Sequence, residues 1–146
     1  HREGAEARAA TVEQKIWETW ARHDSITAEV LLSQASKAMA AQEFPVAEEI
    51  LDRLLNLQPA YAEAWNRRAT LDFLARRYEK SLADIDKVLE LEPRHFGALS
   101  GRGLIYEAME KPDEALAAYR EALSINPFMF AVKEKVKMLE KQRPDI

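Results

Sequence analysis

The chain has 146 residues, of which 47% are apolar and 32% charged, with a formal net charge of −4 and no cysteine. One domain is expected at this length. The acidic balance argues against a nucleic-acid binder working through a basic face, the missing cysteines exclude disulfides and thiolate metal sites, and no run of about 18 apolar residues is present to insert into a membrane.

In chain order, residues 1–10 are rich in Ala, Arg and Glu, and the first residue is His1. The expectation is therefore that any targeting segment has already been removed. Val12, Ile16, Trp17 and Trp20 share one apolar face, which predicts an N-terminal capping helix over 11–23 followed by a linker to residue 27. Thr27 is a candidate cap for the next helix, with Glu29 in its first turn. Apolar periodicity then predicts helices near 28–42, 45–57, 61–76, 79–91, 96–109 and 112–125. Pro45 and Pro112 fall in predicted first turns, where proline is favoured. Pro59, Pro93 and Pro127 follow predicted C-terminal ends, since proline cannot continue a helix. Val132, Val136 and Leu139 lie beneath Lys133, Lys135, Lys137 and Lys141. They predict a C-terminal capping helix over 130–146 that ends in a loose tail from Arg143.

The helices come in registered pairs. The three closing prolines are spaced by one constant period, and Leu31/Trp65/Leu99, Ala35/Ala69/Gly103, Ala47/Ser81/Ala115, Leu51/Ile85/Tyr119 and Leu54/Val88/Ala122 recur at the same period. That period, about 34 residues, and the order of large, small and closing positions mean that residues 28–129 resemble the tetratricopeptide-repeat family. The units are 28–61, 62–95 and 96–129. The resemblance implies an all-α, right-handed superhelical solenoid of three repeats, with a capping helix at each end. Within each pair a large residue on the first helix is followed four positions later by a small one, which lets the second helix approach closely.

Little in the sequence points to catalysis. His1, His23 and His95 are far apart, and none has a second ligand at metal-binding spacing. Ser100-Gly101-Arg102-Gly103 lies on a predicted helix with no strand before it, so it is neither a phosphate loop nor a nucleophile elbow. Carboxylate pairs such as Glu48/Glu49 and Asp84/Asp86 are expected on exposed helix faces. No catalytic residue, cofactor or metal site is expected, and the chain is read as a non-enzyme.

The resemblance implies that the first helix of each pair lines a concave groove that holds a protein or peptide. Position by position, that groove takes Leu32, Ser36 and Met39 from the first repeat. It takes Asn66, Arg67, Thr70, Phe73 and Leu74 from the second, and Ser100, Leu104 and Glu107 from the third. Gly97 and Gly101 leave its wall bare. The positions that some family members use to clamp the terminal carboxylate of a chaperone hold Leu32, Ser36, Arg67, Gly97 and Gly101, and only Arg67 is a suitable donor. Arg68 and Arg102 stand where the family has leucine, and Asp72 where it has tyrosine. Arg68 and Asp72 are four apart on one helix and can pair, and Arg102 could reach the same carboxylate, which predicts a polar seam between repeats. The alternative is that these arginines face an acidic ligand.

The leading expectation is a protein- or peptide-binding adaptor. A self-associating scaffold that uses the Trp17/Trp20 face or the groove is the alternative, which makes a homo-oligomer possible. A regulatory fragment of a larger enzyme is a third. The resemblance to compact bacterial repeat proteins implies a periplasmic or otherwise exported location, with the cytoplasm as the alternative.

Overall fold

Small residues at fixed positions let helices pack in pairs, and the computed structural model shows where each pair meets. It describes residues 26–142, so the expected helix over 11–23 and the tail from Arg143 lie outside the described residues. The described residues form seven helices and no strand. They are α1 at 26–40, α2 at Phe44–Leu57, α3 at Ala62–Leu74, α4 at Tyr78–Leu91, α5 at Phe96–Ala108, α6 at Pro112–Ile125 and α7 at Phe130–Lys141. None is long and apolar enough to cross a membrane.

Pro45 and Pro112 sit in the first turns of α2 and α6, as the sequence predicts. Thr27 does not cap α1, because that helix is already under way at residue 26. Within each helical pair the turn from the first helix to the second holds a left-handed residue, and this position also repeats: Gln42, Arg76 and Glu110 all have φ of 61°. The amide after each one reaches back to the helix it leaves, as Glu43 N–H does to Ala38 O at 2.8 Å, which satisfies a terminal carbonyl.

Neighbouring helices pack in sequence order, α2 on α3, α3 on α4, α4 on α5, α5 on α6 and α6 on α7, while α3 also touches α5. The result is a superhelical solenoid rather than a bundle around one centre. Its core is a chain of small clusters, each joining two or three helices, such as Ala35, Ala38, Ala47, Leu51 and Leu71. Every one of Ala35, Ala69, Ala47, Ser81, Ala115, Leu51, Ile85, Tyr119, Leu54, Val88 and Ala122 is buried. Packing volume is conserved across the repeats: Leu51 and Ile85 lie opposite alanines, and the larger Tyr119 lies opposite Gly103. A Cβ at Gly103 would overlap the Tyr119 ring, so the third repeat gives up a methyl group to fit an aromatic. Ser81 Oγ donates to Ala69 O at 2.6 Å and ties α4 to α3 inside this core.

Candidate functional site

Because α3 and α5 are successive first helices, they stand side by side with α4 behind them. Between them lies an open cleft of about 320 Å³. Asn66, Thr70, Phe73 and Leu74 line it from α3, Gly97, Ser100, Gly101 and Leu104 from α5, and Ile85 from α4. Leu74 and Leu104 are 50% and 39% exposed at its rim, so apolar surface faces solvent there. Thr70 Oγ1 donates to Asn66 O at 3.2 Å and Ser100 Oγ to Gly97 O at 2.9 Å, so both hydroxyls are engaged within their own helices. Among the described residues, no charged side chain lines the cleft.

The other expected groove residues lie elsewhere. Leu32 and Met39 pack against the buried cluster that joins α1 to α2 and α3, and Ser36 Oγ donates to Leu32 O at 3.0 Å. Arg67 points toward Tyr61, whose hydroxyl it helps to ionise against the stronger opposing effects of burial, Glu29 and Glu63. The Arg67 Nε is buried without a hydrogen-bond partner among the described residues. Glu107 is drawn away from the cleft: it accepts from the buried Tyr119 hydroxyl and from Lys135 Nζ at 3.2 Å. Burial, and then this bond to a carboxylate, push the Tyr119 hydroxyl well above its ordinary range.

The polar seam exists, but its pairing differs from the expectation. Arg68 does not take Asp72. It forks Asp84 of α4 with Nε and Nη2 at 3.1 and 2.9 Å, and its Nη1 reaches Asp52 of α2 at 3.1 Å. Asp72 instead accepts from Arg77 Nε at 3.0 Å, while Arg77 Nη2 also bonds Glu48 at 3.2 Å. Arg102 reaches neither and bonds Asp86 at 2.7 Å. A helix neighbour four positions away lost to carboxylates on the two flanking helices, α4 and α2, which hold the guanidinium from both sides. Asp72 and Asp84 share a hydrogen bond, and burial above all, then this bond and Asp84's charge, push Asp72 up to about 6 against the pull of Arg77. The seam also walls a second opening of about 320 Å³ that includes Lys80 and Ala83.

His95, which the sequence marks as an ordinary loop residue, ties two repeats together. Its Nδ1 accepts the Ala98 N–H at 2.9 Å and so caps α5, and its Nε2 lies 2.9 Å from Glu63 Oε1. Glu63, Glu92 and His95 bring ligand atoms within 4.8 Å of one another. A cation fits poorly there, because the neutral ring must carry its proton on Nε2 while Nδ1 accepts from the helix. The one signal in the sequence was position: His95 immediately precedes a predicted helix, where a side-chain acceptor can satisfy an early amide. Histidine is not among the common capping residues, which hid the role.

Two tetratricopeptide-repeat family models match, over residues 32–82 and 97–129. A TPR repeat-containing protein of Rhizobium etli is 39% identical over 132 residues, 90% of this chain. The chain belongs to the tetratricopeptide-repeat family. It spans 65% of that relative's length. The repeats also superpose on solved structures. The Arabidopsis OM64 TPR domain matches with a TM-score of 0.74 and 22% identity, over 81% of this chain and 98% of that one. The first TPR of Spaghetti (RPAP3), bound to the HSP90 peptide SRMEEVD, matches with a TM-score of 0.74 and 20% identity, over 79% and 91%. These likenesses establish the repeat fold.

Proposed function

We propose that this chain is a non-enzymatic adaptor that holds a segment of another protein in the α3–α5 cleft. The observation that carries the reading is that cleft: an open concavity with an uncharged, largely apolar lining and half-exposed Leu74 and Leu104 at its rim. Clefts of this size and lining are where ligands gain from burying apolar surface. The peptide held by the Spaghetti domain shows that this fold can carry such a site. A carboxylate clamp of that peptide's acidic kind is not part of the proposal. Gly97 and Gly101 line the cleft without a side chain, and Arg67 stands outside it.

A photo-crosslinking residue placed at Thr70, with Glu90 on the far side of α4 as control, tests the reading in extracts of the native host. Adducts that form from position 70 alone, and that disappear in Phe73→Ala/Asn66→Ala, are the expected result. Equal labelling from both positions would end the proposal. The alternative is a self-associating scaffold that uses the Trp17/Trp20 face or the groove itself. Phe128, just before α7, and Phe130, its first residue, are 74% and 69% exposed and add apolar surface to that reading. Its Trp17/Trp20 version lies outside the described residues. Sedimentation over a concentration range separates scaffold from adaptor. The proposed exported location is checked by fractionating host cells.

A further inference from the structure

A glycine inside a helix costs stability relative to alanine, so each one in α5 calls for a reason. At Gly103 the reason is internal, because a Cβ would overlap the Tyr119 ring. At Gly97 a Cβ would stand 3.1 Å from His95 Cε1, tighter than side chains normally pack. Gly101 has no such reason. Its Cβ would meet Ile85 Cδ1 at 3.6 Å, an ordinary contact, and among the described residues nothing else beyond its own helix backbone and chain neighbours within 4 Å. The fold therefore accepts a side chain at 101, and the space left open belongs to the cleft that Gly101 lines.

The surroundings of that space define what it would take. Phe73, Leu74, Ile85 and Leu104 make it apolar, and among the described residues no charged group borders it. A terminal carboxylate or an acidic side chain would lose its hydration there without a counter-charge, which is costly. Asn66 also lines the cleft, and among the described residues its carboxamide has no hydrogen-bond partner within the chain. An unengaged donor and acceptor beside an apolar recess suits the backbone of a bound segment.

We propose that Gly101 opens a specificity recess in this groove, which accepts a leucine-sized aliphatic side chain from an internal, uncharged segment of a partner polypeptide while Asn66 bonds that segment's backbone. The inference rests on the groove reading above. The recess sets which segment binds, and the rest of the groove sets that one binds at all.

The test pans a phage-displayed library of random peptides on the wild-type protein. One enriched sequence, synthesised with acetylated and amidated ends, is then titrated against Gly101→Ala, Gly101→Leu and Phe73→Ala/Asn66→Ala. Enriched peptides carry Leu, Ile or Met at one fixed position without acidic neighbours. The synthetic peptide loses affinity roughly tenfold or more in Gly101→Leu, the scale of one aliphatic side chain shut out of its pocket. Gly101→Ala melts at or above the wild-type temperature and loses affinity less, which separates recess from fold. Affinity lost in Phe73→Ala/Asn66→Ala but unchanged in Gly101→Leu would overturn the recess and leave the groove standing. Enrichment that depends on an acidic C-terminus would overturn the recess as well. A selection indifferent to both sets of variants would overturn the groove too.

Discussion

Asp72 shows how far one residue's chemistry depends on neighbours that the sequence does not mark. Its side chain and that of Asp84 are each only 6% exposed, and the two share a hydrogen bond that needs one proton. Raised from 3.8 to about 6, Asp72 holds its proton more tightly folded than unfolded. Its contribution to stability is therefore full below its unfolded value and is lost as pH rises from about 4 through 6. Asp72→Asn keeps a donor toward Asp84 at every pH, so chemical denaturation at a series of pH values should show a flatter decline than wild type between pH 4 and 7. Parallel curves for the two proteins would remove the shared proton from the account. Gly103 makes a second point at this scale. Gly103→Ala forces a methyl into the Tyr119 ring and should cost about 1–3 kcal/mol, the usual penalty for overpacking. Gly103→Ala/Tyr119→Leu recreates the Ala35/Leu51 pairing of the first repeat and should recover part of that loss. No recovery in the double variant would mean that the bond from Tyr119 to Glu107, and not its volume, governs this site.

At the scale of elements, the turns carry a cost that recurs once per repeat. Gln42, Arg76 and Glu110 all adopt the left-handed conformation that disfavours a side chain. The geometry is fixed by the returning bonds from Glu43 to Ala38, Arg77 to Asp72 and Lys111 to Tyr106 at 2.8, 2.7 and 2.9 Å. Glycine at each position relieves the strain but adds unfolded-state entropy, so each substitution should stabilise by up to about 1 kcal/mol. Denaturation midpoints of the three single variants check this, and a loss of stability in all three would refute it. The sequence revealed these turns only through their neighbours, because none of the three residues is a glycine. It did reveal the helices themselves, since Ala47, Leu51, Leu54 and Leu55 already mark the buried face of α2. The caps were less legible. Only α5 among the six helices α2–α7 has a side-chain N-cap, and it comes from His95.

Over the whole molecule, contacts between adjacent helices make stability close to a sum of neighbour terms, with the weakest element at an end. At α7, Val132 and Leu139 keep the columns of Ala98 and Ile105 and are buried. Lys133 and Lys137 replace Leu99 and Gly103 on the face that would meet a further helix. Native-state hydrogen exchange should therefore find α7 amides opening well before those of α4, which is packed on both α3 and α5. Equal protection of the two helices would show that the array unfolds as a single unit.

Periodicity alone determined the repeat, its register and the buried columns, because apolar spacing along one helix is a local property of the chain. A groove holding Asn66, Thr70, Phe73, Leu74, Ser100 and Leu104 was implied only by the family resemblance. Which partner each charge takes was decided only in three dimensions. Arg68 chooses Asp84 and Asp52 over Asp72, Glu107 turns to Tyr119 and Lys135, and Leu32 and Met39 of α1 pack against the cluster shared with α2 and α3. Those outcomes depend on distances between helices set by packing volume, and a long polar side chain settles on whichever partner the packed neighbours bring within reach.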